Sequence, residues 1–370
     1  MSGFDAVANL AQKALRRLQS AHKPLVRGLR RGERAREHAA FRREIAEVER
    51  EIAAMAAGRG PIIVGPWLAE VGYEVLYWIP FLRWLVDAHG ISRDRLIAVS
   101  RGGLEALYDE LAGRYVDIFD LMTPPELAAA NTRRQAQSEG GGRKQTGTSA
   151  LETDLVTRVK GHLSVPDATV CQPAFLFRMF RNVWHGNLPV DVLTTHTRYV
   201  TGRLDTTPVP GVPADFIAVK LYAGPALTTA DATRAAVRAL VEQAARVAPV
   251  VLLETELGID EHRDFDLRGL SNVTSARALM QPRTNLGVQL ALIARSRLFL
   301  GTCGGLAWVA PFLAVPTVAV YDTDAMLAPH LLLARRAGRD AGAAEFAPFD
   351  LRAAARLQLL AGAAGSGPVR

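Results

Sequence analysis

A chain of 370 residues with 49% hydrophobic content is long enough for two ordinary domains with real cores, so disorder is a local feature at most. The formal charge of +7 points to an acidic partner, whether a phosphate-bearing ligand, nucleic acid or anionic lipid. Two cysteines, Cys171 and Cys303, rule out a disulfide framework and cannot by themselves make a metal site; no apolar stretch reaches the ~20 residues of a membrane span or forms a signal peptide, and a cytoplasmic protein is expected.

Residues 1–58 read as a basic helical extension. Lys13, Arg16, Arg17, Lys23, Arg27, Arg30 and Arg31 surround Leu15, Leu18, Leu25 and Leu29 in its first half. That face suits either an anionic membrane surface or a solvated helix packed on protein, including a second copy of the chain. In the second half Phe41, Ile45, Val48, Ile52 and Met55 form one apolar seam, and Gly58 ends it.

Residues 61–205 read as a first α/β lobe. Its strands are Ile62-Ile63-Val64, Leu96 to Ser100 and Val116 to Phe119, with a helix over about 76–86 between the first two. The polar, glycine-rich stretch 131–149 reads as a mobile loop, and 171–184 as an aromatic-rich helix. Three prolines and a glycine in 206–215 mark a linker. A second lobe, 216–345, begins with the strand Phe216 to Tyr222, continues with an alanine-rich helix over about 229–247 and the strand Val250 to Leu253, and adds a short strand near Val273. Asn285 reads as the N-cap of the next helix, which leads into Leu298-Phe299-Leu300, the turn Gly301-Thr302-Cys303-Gly304-Gly305, a helix from Leu306 and the strand Thr317 to Tyr321. A C-terminal helix and tail fill 346–370.

Glycines at a strand-to-helix turn either pack tightly or let a phosphate approach backbone amides. Neither lobe opens with Gly-x-Gly-x-x-Gly after its first strand, so a sugar nucleotide fits this turn better than a dinucleotide coenzyme. In the first lobe Glu70 and Glu74 follow a strand exit directly, where a carboxylate either meets a substrate hydroxyl or caps a helix. Trp67, Tyr73 and Arg101 stand in the same crevice as acceptor-side candidates. In the second lobe Lys220, Tyr222, Arg283, Asn285, Gly301, Thr302, Gly304 and Gly305 are the donor-side candidates, the cations facing a diphosphate. Asp260-Glu261-His262 lacks the spaced partners of a metal cluster, and a structural or hydroxyl-binding role is expected.

The stretches Asn285 to Gln289, Gly301 to Leu306 and Ala310-Pro311-Phe312 resemble the donor-side signature of bacterial polysaccharide glycosyltransferases of the GT-B class, and Gly65 to Arg83 looks like the opening motif of an uncharacterised bacterial group of that kind. The resemblance covers about residues 61–340. It implies two Rossmann-like lobes, a nucleotide-sugar donor on the second and a glycan, lipid-linked or protein acceptor on the first, with Glu70 or Glu74 as base. With no Asp-x-Asp motif it also implies a metal-independent reaction without a cofactor. His196-Thr197-Arg198 has the spelling of a fucosyltransferase signature but sits by the linker. A sugar-nucleotide epimerase of the same architecture and a non-catalytic polysaccharide-assembly binding protein are the alternatives; no nucleic-acid-binding module is found.

Overall fold

The computed structural model describes residues 36–139, 148–202, 204, 207–255, 257, 262–324 and 327–353. The basic first half of the N-terminal extension, the centre of the glycine-rich stretch, Asp260, Glu261 and the end of the tail lie outside the described residues. The chain divides into two compact units at Arg50/Glu51, within a helix α1 over residues 36–57. Both sheets and the cavity between them belong to the second unit.

Two parallel sheets organise it. The first has the order β3-β2-β1-β4, built from β1 (Ile62–Val64), β2 (Leu96–Ser100), β3 (Arg114–Asp117) and β4 (Thr169–Cys171). A helical passage α2 (Val71–Tyr73), a π-turn Glu74–Trp78 and α3 (Ile79–His89) joins β1 to β2. Helices α4 (Pro124–Glu139) and α5 (Ala150–His162) cover one face: Leu151, Leu155 and Val159, each four residues apart, pack with Ile63, Ile97, Val99 and Val116. Each such buried aliphatic contributes about 1.5–3 kcal/mol. Helices α6 (Pro173–Trp184) and α7 (Asp191–Thr194) complete the lobe.

The second sheet has the order β12-β11-β10-β5-β7-β9, all parallel. Its strands are β5 (Ile217–Lys220), β7 (Val250–Leu252), β9 (Val273–Ser275), β10 (Leu298–Thr302), β11 (Thr317–Tyr321) and β12 (Phe346–Asp350). Helix α8 (Asp231–Val247) lays Val237, Val241 and Ala245 on β5 and β7; α9 (Asn285–Arg295) and α10 (Ala328–Ala341) are the other long helices. A small antiparallel pair, β6 (Tyr222–Ala223) with β8 (Arg263–Asp264), stands at the exit of β5.

Several predicted elements differ. Helix α4 runs on to Glu139 through the stretch expected to be loop, because Ala, Arg and Gln dominate there and the glycines begin only at Gly140. Strand β3 stops at Asp117, whose carboxylate accepts the Phe119 N–H at 3.0 Å and turns the chain into a 3-10 segment. Cys171 ends a strand, and the helix waits for Pro173. Asn285 is the first helical residue, with Thr284 at the cap position. After Gly305 come two 3-10 turns, Gly305–Trp308 and Ala310–Leu313, where a helix was expected; Pro311 has no N–H to carry a helical ladder through them. Residues 346–350, assigned to the C-terminal helix and tail with no strand expected there, form the edge strand β12.

The lobes touch backbone to backbone. A Cβ on Gly72 would lie 2.4 Å from the Gly305 carbonyl oxygen, and one on Gly287 would lie 2.4 Å from that of Gly103. The Gly287 N–H donates to the Gly102 carbonyl at 2.9 Å, so the first lobe satisfies an amide in the first turn of α9. Arg283 adds a two-pronged ion pair with Asp120, at 2.5 and 2.9 Å. We expect Gly72→Ala and Gly287→Ala each to destabilise the protein by about 1–3 kcal/mol. At Gly287 this opposes a helix preference of about 1 kcal/mol for alanine. Urea unfolding of the two variants checks it, and an unchanged or raised midpoint would remove the contact as a constraint.

Candidate functional site

Strand β1 ends at Gly65, whose φ of +125° and 2.5 Å approach of a would-be Cβ to the Val99 carbonyl exclude any other residue there. The chain then turns over the end of β2, with the Trp67 N–H donating to that same carbonyl at 3.0 Å. Glu70 follows at the N-cap position of α2, yet its side chain makes no capping hydrogen bond. It reaches across to the second lobe, where its Oε1 lies 3.2 Å from Nε2 of His262.

The facing wall is built from β5, β6 and β8. The Lys220 ammonium sits 2.8 and 2.9 Å from the two oxygens of Asp264, which also accepts the Thr255 N–H at 2.9 Å. Tyr222 carries the His262 ring stacked on its own, centroids 4.0 Å apart and planes 24° from parallel. The backbone of Tyr222 is fixed by Thr302, which accepts its N–H and donates to its carbonyl, both at 2.9 Å. Glu70, Arg101, Lys220, Tyr222, Asn285 and Gly305 line one cavity between the lobes, together with His262, Asp264, Leu286 and Gln289.

Other predicted residues serve this cavity without lining it. Trp67 is 1% exposed and stacks on Trp78, out of reach of an acceptor. Thr302 is 1% exposed, and its hydroxyl is spent on Tyr222. At Gly301 the place of a Cβ is taken by the Phe299 ring, 2.6 Å away, so this glycine answers packing within β10. Gly304, at φ +130°, lies under Trp308 and Tyr222. The expected phosphate cradle is therefore a buried turn capped by Gly72, with no long helix behind it. Arg283 holds Asp120, and Tyr73 belongs to a junction of rings with Tyr77, Trp308 and His330. In that junction the Tyr77 hydroxyl lies 2.5 Å from His330 Nδ1, and burial pushes the His330 imidazole down to about 4. His196 packs its ring on Trp84.

Glu74 is the other displaced residue. The π-turn carries it inside the first lobe at 1% exposure, where the Tyr108 hydroxyl donates to its Oε1 at 2.5 Å. Burial pushes its carboxyl up to about 7, against the nearby Ser100 hydroxyl, the Tyr108 hydrogen bond and the charge of Arg101, while Asp117 pushes the same way as burial.

Sequence reasoning missed Asp264 and Thr255, and it placed Gln289 in the donor-side stretch without giving it a role. Nothing local marks the first two, since Asp264 meets Lys220 from 44 residues away. His262 was read as structural or hydroxyl-binding, and it is the residue that faces Glu70. Among the described residues no three His, Cys, Asp or Glu side chains converge as a metal site needs, and no helix is long and apolar enough to cross a membrane.

Two parallel lobes that meet over one cavity at their strand exits make the GT-B-type arrangement. No family model matches the chain, and no curated protein matches it. The fold is similar to solved glycosyltransferases. One is the glycosyl transferase family 9 protein of Veillonella parvula, 14% identical over 70% of this chain and 80% of that one, with a TM-score of 0.38. Another is the E. coli heptosyltransferase WaaC with ADP, 18% identical over 73% and 89%, TM-score 0.34. The UDP-GlcNAc 2-epimerase of Methanocaldococcus jannaschii is also similar, 11% identical over 76% and 90%, TM-score 0.34. Which reaction the cavity supports has to come from its own side chains.

Glu74 binds a proton more tightly folded than unfolded, so its contribution is complete below about pH 4.5 and is lost as pH rises toward 7. Glu74→Gln keeps an acceptor for Tyr108 and removes that loss. We expect it to melt like the wild type at pH 4.5 and to be more stable at pH 8, by at most about 3 kcal/mol. Parallel melting curves at pH 4.5 and 8 would refute this if the difference ran the other way.

Proposed function

We propose that the protein is a glycosyltransferase that moves a sugar from a nucleotide-sugar donor to a hydroxyl of a glycan, lipid-linked or protein acceptor. The observation that carries the reading is the Glu70 carboxylate of the first lobe, free of any capping duty, facing His262 and the Lys220 wall of the second lobe across one cavity.

In the reaction the acceptor oxygen forms a bond to the anomeric carbon as the bond from that carbon to the diphosphate oxygen breaks. Glu70 takes the hydroxyl proton, and His262 orients the carboxylate from the other side. Lys220 and Arg101 offset the negative charge that develops on the leaving diphosphate, a role that needs no metal ion. A cation with an anionic partner already beside it is held in place before the ligand arrives, which is the pre-organisation such stabilisation requires. The basic residues of the N-terminal extension would bring the enzyme to an anionic membrane surface or to another protein.

Three outcomes test this. Nucleoside diphosphates and sugar nucleotides of one base should raise the melting temperature of the wild type in a screen, by an amount that grows with the logarithm of ligand concentration. With the donor so found, Glu70→Gln should lower kcat by about 10²–10⁴ with little change in donor affinity, and full transfer by this variant would remove Glu70 as base. EDTA should leave the wild-type rate unchanged. Conversion of the donor with no acceptor present would instead identify an epimerase.

A further inference from the structure

Gln289 lies on the second turn of α9 and lines the inter-lobe cavity, although its residue is 2% exposed. Its amide nitrogen donates to the Asn285 carbonyl at 3.1 Å, with Asn285 Oδ1 at 3.5 Å as a weaker second acceptor. A carbonyl can only accept, so this bond fixes which end of the amide is nitrogen. The oxygen is turned the other way and has no hydrogen-bond partner among the described residues. An acceptor buried without a donor is costly, and native proteins keep few of them. Helix geometry does not demand it, because any helix-forming residue could hold this position.

The cations in the same cavity, Lys220 and Arg101, are the groups that would seat a phosphate. In a nucleotide sugar the units on either side of the diphosphate are the ribose and the transferred sugar, and both present hydroxyls. The base lies further away. We propose that Gln289 is a specificity residue whose Oε1 accepts a hydrogen bond from a sugar hydroxyl of the ligand, either ribose or transferred sugar, next to the diphosphate. The inference rests on the reading of the cavity as a nucleotide-sugar site. Gln289 makes no contact with the reacting proton. It selects the ligand, and a ligand without that hydroxyl leaves the oxygen unpaired.

Gln289→Met keeps the length of the side chain and its helix preference but removes the acceptor. Calorimetric titration of wild type and variant with UDP, GDP and ADP, then with the matching sugar nucleotides and with the 2′- and 3′-deoxy forms of the tightest binder, reads the role directly. We expect the variant to lose about tenfold to a hundredfold in affinity for the hydroxylated ligand and almost nothing for the deoxy form that lacks the recognised group. Loss already present with the nucleoside diphosphate assigns the hydroxyl to ribose; loss only with the sugar nucleotide assigns it to the transferred sugar. The ligand-free variant should melt at the same temperature or higher, since an unpaired acceptor has gone. Equal affinity in both proteins, or a uniform loss over all ligands with a lowered ligand-free melting temperature, overturns the inference and makes Gln289 a structural residue of α9. If the wild type binds none of these ligands, the glycosyltransferase reading falls and takes this inference with it. Retained affinity in the variant removes the inference alone.

Discussion

The contact of glycine backbone on glycine backbone between the lobes governs the rest of the structure. Gly72 rests on Gly305 and Gly103 on Gly287 with no room for a single methyl group. Because main chain meets main chain, the strand exits of the two sheets come close enough for Glu70 to reach His262 directly. Side chains between the lobes would set these groups apart by the thickness of another layer. The turn from Gly301 to Gly305 thus owes its glycines to Phe299, to Tyr222 and to the positive φ of Gly304 and Gly305, and the cavity sits beside that turn.

Around this contact the two lobes divide the polar work. The first lobe buries an acidic network in its interior, with Glu74, Ser100 and Tyr108 below the surface and Arg101 emerging from it into the cavity. The second lobe holds its charges near the cavity wall, Lys220 against Asp264, with the stacked rings of Tyr222 and His262 beside them. A buried carboxylate is tolerated only when it is hydrogen-bonded or protonated, and Glu74 is poised between these two solutions near neutral pH. The π-turn that places it also leaves the Leu76 carbonyl to accept from the Tyr199 hydroxyl at 2.9 Å, so the segment entering the linker is anchored on the same irregularity.

What could be read in the sequence follows from how locally each feature is encoded. Strands β1, β2, β5, β10 and β11 are short apolar runs closed by glycine, proline or charge, and such runs identify a buried parallel strand unaided. Of the edge strands, β3 and β9 were read near Val116 and Val273, while β4 and β12 escaped. Pro348 reads against a strand in Phe346–Asp350, and only the position at the margin of the sheet, where an N–H is not needed, makes it acceptable. Glu70, Arg101, Lys220, Tyr222, Asn285 and Gly305 were legible because residues at strand exits and helix starts share an edge by topology. Glu74 and Trp67 were misplaced because four or three residues along an irregular turn decide between cavity and core, and sequence spacing does not resolve a π-turn. Asp264 depends on a partner fixed only by the folded chain, 44 residues away at Lys220.

The pairing of Lys220 with Asp264 has a consequence for how the cavity trades charge with the solvent. The ammonium already owns a counter-ion, only 12% and 17% of the two side chains being exposed. An anion entering this space does not meet a bare positive hole. It bids against a resident carboxylate that is itself anchored by the Thr255 amide. Occupancy is then a swap of one anion for another at a fixed cation, as on an ion-exchange resin. Leaving is correspondingly easy, since the displaced carboxylate stands ready to reclaim its site when that anion departs.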